Sequence, residues 1–212
     1  MKKDVLNVLS QLIAIPSVSA DILRKKHMKE AVDFLSRILK DLGFDLLYSQ
    51  KDGASPCMIA IKRVPHALHT IGIYGHYDVQ PEDPIEEWQS DPFQLLERNG
   101  KLFGRGVADN KGHIVQNIAA IESLIASGQL KNNIIFILEG EEETGSEQFE
   151  QYVLSHKELL QNVDLYYITD SGMFAKNIPQ IEYALRGLVY FELRITTGNR
   201  DLHSGVYGNS AH

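Results

Sequence analysis

Apolar residues recur at helical spacing along the start of the chain. Val5, Leu6, Leu9, Leu12 and Ile13 share one face of a first helix, and Met28, Val32, Leu35, Leu39 and Leu42 form the stripe of a second. Gly43 directly follows that stripe and reads as the helix cap, because glycine enters the left-handed conformation that ends many helices. The period then shortens. Residues 44–48, 58–63 and 70–74 read as strands, and residues 93–97 and 101–103 flank Asn99-Gly100, a pair suited to a tight hairpin turn.

Ile114, Ile118, Ile121 and Ile125 predict a helix over 114–125, with Gly128 beyond it. Residues 134–138 are apolar without a break, as in a strand buried on both faces. A helix carrying Phe149, Tyr152 and Val153 follows, then a strand over 165–169. Strands alternating with helices predict an α/β fold: a mixed, largely parallel sheet with helices on both faces. Past Pro179 the texture changes, and residues 180–185 and 188–197 read as two extended strands around Arg186-Gly187 with no helix after them. They suggest the start of a second, antiparallel unit.

Composition narrows the function classes. The 212 residues are 43% apolar, enough to build a sizeable core. Lys plus Arg number 21 against 28 Asp plus Glu, a net charge of −7, and the only basic run is Arg24-Lys25-Lys26 at a helix entry. That distribution lacks the electrostatic footprint for nucleic acid or an anionic membrane, so neither is expected as a partner. The single Cys57 excludes a disulfide scaffold and favours a reducing, cytoplasmic compartment. Lys2-Lys3 is followed at once by Asp4 and by periodic rather than continuous apolar residues, which reads as a helix and not a signal peptide. No stretch reaches the roughly 18 apolar residues of a membrane span.

The chemistry is legible in where polar residues interrupt the strands. Residues 70–74 lead into Gly75-His76-Tyr77-Asp78, residues 134–138 into Glu139-Gly140-Glu141-Glu142-Glu143, and residues 165–169 into Asp170. The carboxyl ends of strands in an open parallel sheet form its ligand crevice. A fourth contributor, Asp109, lies in a glycine-rich loop, Gly104 to Gly112, that enters the 114–125 helix. Each piece has a plain structural reading: a satisfied core histidine, a helix cap, a solvated acidic run, a turn. The conjunction points elsewhere. Carboxylates gathered in one cleft repel one another, and a bound cation relieves that repulsion. Histidine and carboxylates without thiolates suit zinc, manganese or cobalt. Asp78 lies on the same side of an extended segment as His76 and can hold the second imidazole nitrogen. A carboxylate not engaged by metal can carry a proton from water to a leaving group. Dinucleotide, phosphate-loop, His-Glu-x-x-His and Gly-x-Ser-x-Gly signatures are missing from the sequence.

With these residues in place, the chain resembles the M20 family of metallopeptidases, and most of all its dipeptidase (carnosinase-like) branch. The carrying segments are Gly75 to Pro81, Trp88 to Phe93, Gly104 to Gly112, Glu139 to Ser146 and Asp201 to Gly208. The resemblance implies a zinc-exopeptidase-like catalytic domain over 1–184 and the start of a lid and dimerisation domain over 185–212. It implies two divalent ions, zinc with manganese or cobalt as alternatives. His76 and Asp170 would bind one ion, Asp109 would bridge both, and Glu143 would bind the second. Glu142 would be the general base, Asp78 would orient His76, and His203 would reach a partner subunit's site to stabilise the oxyanion. The implied activity is hydrolysis of a small peptide by a homodimer joined through its lids. Removal of an acyl group by the same site, or an inactive piece with an incomplete centre, are the alternatives. The family's chains are about twice as long and supply a last metal-binding histidine from the missing half. Asn110 stands where an acidic residue is common in the family.

Overall fold

The computed structural model describes residues 5–49 and 55–195, and the chain divides into two units, Met1–Gly172 and Met173–His212. The first unit opens with two helices, α1 (Val5–Ile13) and α2 (Lys25–Asp41). Leu9, Leu12 and Ile13 of α1 and Met28, Val32, Leu35 and Leu39 of α2 are buried, while Val5 and Leu6 at the outer end of α1 stay exposed. Gly43 has φ +77°. Its N–H returns to the Lys40 carbonyl at 2.8 Å and that of Phe44 to the Leu39 carbonyl at 3.0 Å, so one left-handed residue satisfies two of the last helical acceptors.

The remaining elements are β1 (Asp45–Tyr48), β2 (Met58–Lys62), β3 (Thr70–His76), β4 (Leu96–Arg98), β5 (Lys101–Phe103), α3 (Lys111–Ala126), β6 (Asn133–Glu139), α4 (Glu147–Ser155), α5 (Lys157–Leu160) and β7 (Leu165–Ile168). Five strands form a sheet in the order β1-β2-β6-β3-β7. β6–β3 and β3–β7 are parallel pairs, and β1–β2 and β2–β6 are antiparallel. Two reversals in succession return β1 to the direction of β6, so β2 alone opposes the other four strands. The sheet is mixed and mostly parallel.

Alternation along the strands divides the core into two layers. Met58, Ala60, Ile134, Phe136 and Leu138 pack with the apolar faces of α1, α2 and α3. Ile59, Ile61, Ile135 and Ile137 pack on the other side with Tyr152 of α4 and Leu160 of α5. Both faces of β6 are therefore covered, which is why its sequence shows no polar alternation. Fully burying side chains of this size contributes about 1.5–3 kcal/mol each.

Two expectations require correction. The hairpin strand read at residues 93–97 begins only at Leu96, because Asp91 builds a turn first: its carboxylate accepts the Phe93 N–H at 2.8 Å and its carbonyl the Gln94 N–H at 3.1 Å. Asn99 and Gly100 then take φ +55° and +69°, the positive values a two-residue hairpin loop needs. The strands read at 180–185 and 188–197 are not formed over the described residues 180–195, and Ile181, Tyr183, Leu185, Leu188, Tyr190 and Phe191 are largely exposed. Apolar patterning reports what a strand would bury, but only a paired neighbour makes a strand. Residues 196 and 197 lie outside the described residues. No helix among the described residues is long and apolar enough to cross a membrane.

Candidate metal centre

The parallel strands β3, β6 and β7 end side by side, and the polar residues that follow them meet there. His76 is the last residue of β3, paired in register with Glu139 at the end of β6. Its side chain is fully buried. Nδ1 lies 3.3 Å from Asp78 Oδ1 and 3.2 Å from the Asp78 carbonyl oxygen. Nε2 faces three carboxylates: Asp109 Oδ1 at 2.9 Å, Asp170 Oδ2 at 3.4 Å and Glu142 Oε2 at 3.9 Å. None of these contacts has hydrogen-bond geometry, so Nε2 is a buried polar atom without a hydrogen-bond partner. The ring nitrogen and the oxygens converge on a shared point rather than on one another.

Two groups of ligand atoms lie within 4.8 Å of one another: His76 with Asp109 and Asp170, and His76 with Glu142 and Glu143. Among the described residues no lysine or arginine forms an ion pair with these carboxylates. The neighbouring Lys111 is turned away, its Nζ bound to the carbonyl oxygens of Leu12 and Ile15 at 3.1 and 2.6 Å. An unpartnered imidazole nitrogen beside uncompensated carboxylates fits a divalent cation held by nitrogen and oxygen donors.

Electrostatics of the metal-free site follow from this crowding. Burial opposes the charged form of His76, but Asp78, Asp170 and Glu142 outweigh it and push the imidazole up to about 9. Burial raises the Glu142 carboxyl above its ordinary value, with Glu143, Asp170 and Asp78 adding to the effect against His76. Glu143 is raised as well, first by burial, although the Gln80 amide donates to its Oε2 at 2.7 Å and favours the anion.

Asp78 is buried and lies between His76 and the acidic loop. Its Oδ1 accepts the Glu142 N–H at 3.3 Å and its Oδ2 the Glu143 N–H at 3.1 Å. Asp109 does not cap α3, because the cap position belongs to Asn110. The Asp109 carboxylate instead projects to His76. Glu141 turns out of the cluster and accepts the Ser55 N–H at 3.1 Å. The described residues thus bring together His76, Asp78, Asp109, Glu142, Glu143 and Asp170, whereas His203 and the segment around it lie outside them.

Sequence reasoning did not single out Asn110 or Glu139 as site residues. Asn110 is buried and hydrogen-bonds to His76 and Asp170, and Glu139 is buried and accepts the Tyr74 hydroxyl at 2.7 Å. In the sequence Glu139 shows only as a charge closing an apolar strand, and Asn110 only as a polar residue at the entry to a helix, which it caps.

The arrangement can be set beside known proteins. The model of peptidase family M20/M25/M40 matches residues 72–189, more than half of the chain, and the match includes His76, Asp78, Asp109, Glu142, Glu143 and Asp170. This chain belongs to peptidase family M20/M25/M40. Among M20 relatives, the Cys-Gly metallodipeptidase dug1 of Schizosaccharomyces pombe is 34% identical over 100% of this chain and 47% of its own length. The Beta-Ala-His dipeptidase of Homo sapiens is 35% identical over 95% of this chain and 39% of its own length. Human carnosine dipeptidase 1 superposes with a TM-score of 0.72 at 32% identity, over 78% of this chain and 38% of that one. The M20 family metallo-carboxypeptidase Sso-CP2 of Sulfolobus solfataricus gives the same TM-score and identity over 81% of this chain and 38% of that one. The chain spans less than half the length of these relatives.

Proposed function

We propose that the whole protein is a metal-dependent peptidase that hydrolyses the amide bond of dipeptides or other small peptides. The observation that carries this reading is His76 Nε2, buried without a hydrogen-bond partner and faced by Asp109, Glu142 and Asp170 from three other segments. Its family membership and the names of the two curated relatives above, a Cys-Gly metallodipeptidase and a Beta-Ala-His dipeptidase, support the same reading.

In this reading His76, Asp109 and Asp170 would hold one divalent ion, and Asp109 and Glu143 would contribute to a second. Zinc is the first choice, with manganese or cobalt as alternatives. Bound there, such ions polarise an amide carbonyl and supply a nucleophilic water near neutral pH. Glu142, a carboxylate at the edge of the centre not assigned to metal in this reading, is the general base: it would take a proton from the attacking water and deliver it to the departing amine nitrogen as the C–N bond breaks. Asp78 fixes the imidazole through Nδ1, leaving Nε2 for metal. His203 as an oxyanion donor, a homodimer joined through residues 185–212, a catalytic domain over 1–184 and a cytoplasmic location belong to the same proposal.

The test is hydrolysis of a dipeptide panel that includes Cys-Gly and β-Ala-His, with zinc, manganese or cobalt added to chelator-treated protein. Glu142→Gln should lower turnover by roughly 10²-fold or more while metal stays bound, as expected for loss of a general base. Normal turnover by that variant would overturn the assignment of the base.

A further inference from the structure

Asp170 lies beyond the support of its own strand. Among the described residues β7 pairs only with β3, and the register ends at Tyr74 with Ile168, two residues short of Asp170. What continues to hold the segment comes from α3. The Asn117 amide donates to Thr169 Oγ1 at 2.9 Å, and the Asn110 amide donates to Asp170 Oδ1 at 3.0 Å. Asn117 belongs to α3 itself, and Asn110 is the residue that caps it.

Asn110 is fully buried and uses both ends of its amide. Its Oδ1 accepts the backbone N–H of His76 at 3.3 Å, and its Nδ2 also lies 3.3 Å from His113 Nδ1. The space for it is made by Gly75, where a Cβ would come within 3.0 Å of Asn110 Oδ1 and 2.7 Å of Ile114 Cγ1. One side chain therefore ties the end of β3, the start of α3 and the residue after β7.

We infer that Asn110 is a positioning residue for the centre: by donating to Asp170 Oδ1 it aims Oδ2 at the point faced by His76 Nε2 and Asp109. This inference rests on the metal-centre reading above. An amide serves both neighbours, accepting from the His76 N–H and donating to the carboxylate. Asn110→Leu has nearly the same shape and loses both the acceptor and the donor, without adding charge. Asn110→Ala loses both as well and keeps the site free of a larger side chain.

The experiment is titration of the metal-free chain and both variants with Co2+, read by competition with a chelating dye and by the visible absorption of bound cobalt. Near-UV circular dichroism of the metal-free proteins checks folding, and the alanine variant keeps the test readable if the leucine variant does not fold. Each folded variant should bind Co2+ about tenfold more weakly, the scale for removing a group that orients a ligand, and should show an altered cobalt band because Asp170 no longer presents the same oxygen. Affinity within twofold of the parent chain, or an unchanged band, would overturn the role of Asn110 and leave the metal centre standing. If the unsubstituted chain took up no cobalt at all, the metal reading and this assignment would both fall.

Discussion

Asp78 Oδ2 accepts the backbone N–H of Glu143 at 3.1 Å, so a residue just past β3 fixes the direction of the acidic loop that follows β6. Its other oxygen accepts the Glu142 N–H and faces His76 Nδ1. Asp78→Asn offers one acceptor where two are needed and turns an NH2 toward an N–H. Urea unfolding should show a loss of about 1–3 kcal/mol for a buried donor left unpaired. Metal affinity should fall by roughly 10–100-fold. Unchanged values for both would remove Asp78 from its orienting role.

Lys111 gives a pH-dependent prediction. Burial pulls its ammonium down to about 7, against a smaller opposing effect of Asp78. The unfolded chain holds this proton up to about 10.4. Between those values the unfolded state binds more protons than the folded one, so this group makes stability rise with pH across the window. Below pH 7 both states are protonated and the cost of the buried cation is constant. His76, held up to about 9, loses its stabilising contribution over part of the same window, so the Lys111 contribution is read as a difference. The change in urea midpoint of metal-free protein from pH 7.5 to 9.5 should be more positive in the parent than in Lys111→Met. That variant also removes one of two hydrogen bonds from each of the Leu12 and Ile15 carbonyl oxygens, which keep the Ile15 and Ser17 N–H groups at 3.3 and 2.8 Å.

Gly112 lies in the first turn of α3, where alanine would ordinarily stabilise a helix by about 1 kcal/mol. Here a Cβ would stand 1.8 Å from the Val107 carbonyl oxygen. That atom is backbone and cannot swing aside, so Gly112→Ala should destabilise by at least about 2 kcal/mol. Chemical denaturation reads the sign directly. A more stable variant would contradict the packing of the 106–112 loop that presents Asp109.

Cys57 is buried against Ile59 and Tyr152, and burial with nearby Glu139 and Glu141 pushes its thiol up to about 12. The thiolate is the reacting form. At pH 8 the folded protein should leave a disulfide reagent such as DTNB unconsumed over a period in which the urea-unfolded chain reacts fully. Rapid reaction of the folded form would place Cys57 outside the core.

Much of the fold can be read without coordinates because local chemistry and burial agree. The apolar run that becomes β6, the stripes of α1 and α2, and the Asn99-Gly100 hairpin all carry their own cause, whether two covered faces, one covered face or two positive φ values. Residues 180–195 look as strand-like as β6 but have no neighbour to pair with among the described residues. The same limit applies in the centre. His76, Asp109 and Asp170 stand out as ligand-type residues at strand ends and a loop. Asn110 and Lys111 do not, because their burial is decided by what packs on them from residues 12–15, 76 and 170.

The sheet order makes the donors unequal in tenure. His76 leaves an interior strand flanked by β6 and β7, while Asp170 follows β7, which among the described residues is a rim strand with one hydrogen-bonded neighbour. Rim strands open at lower free energy than interior ones. An ion shared by His76 and Asp170 would act as a clasp from the middle of the sheet to its border. Stripping it with a chelator should speed deuterium uptake at Leu165–Ile168 and leave the amides of β6 as slow as before.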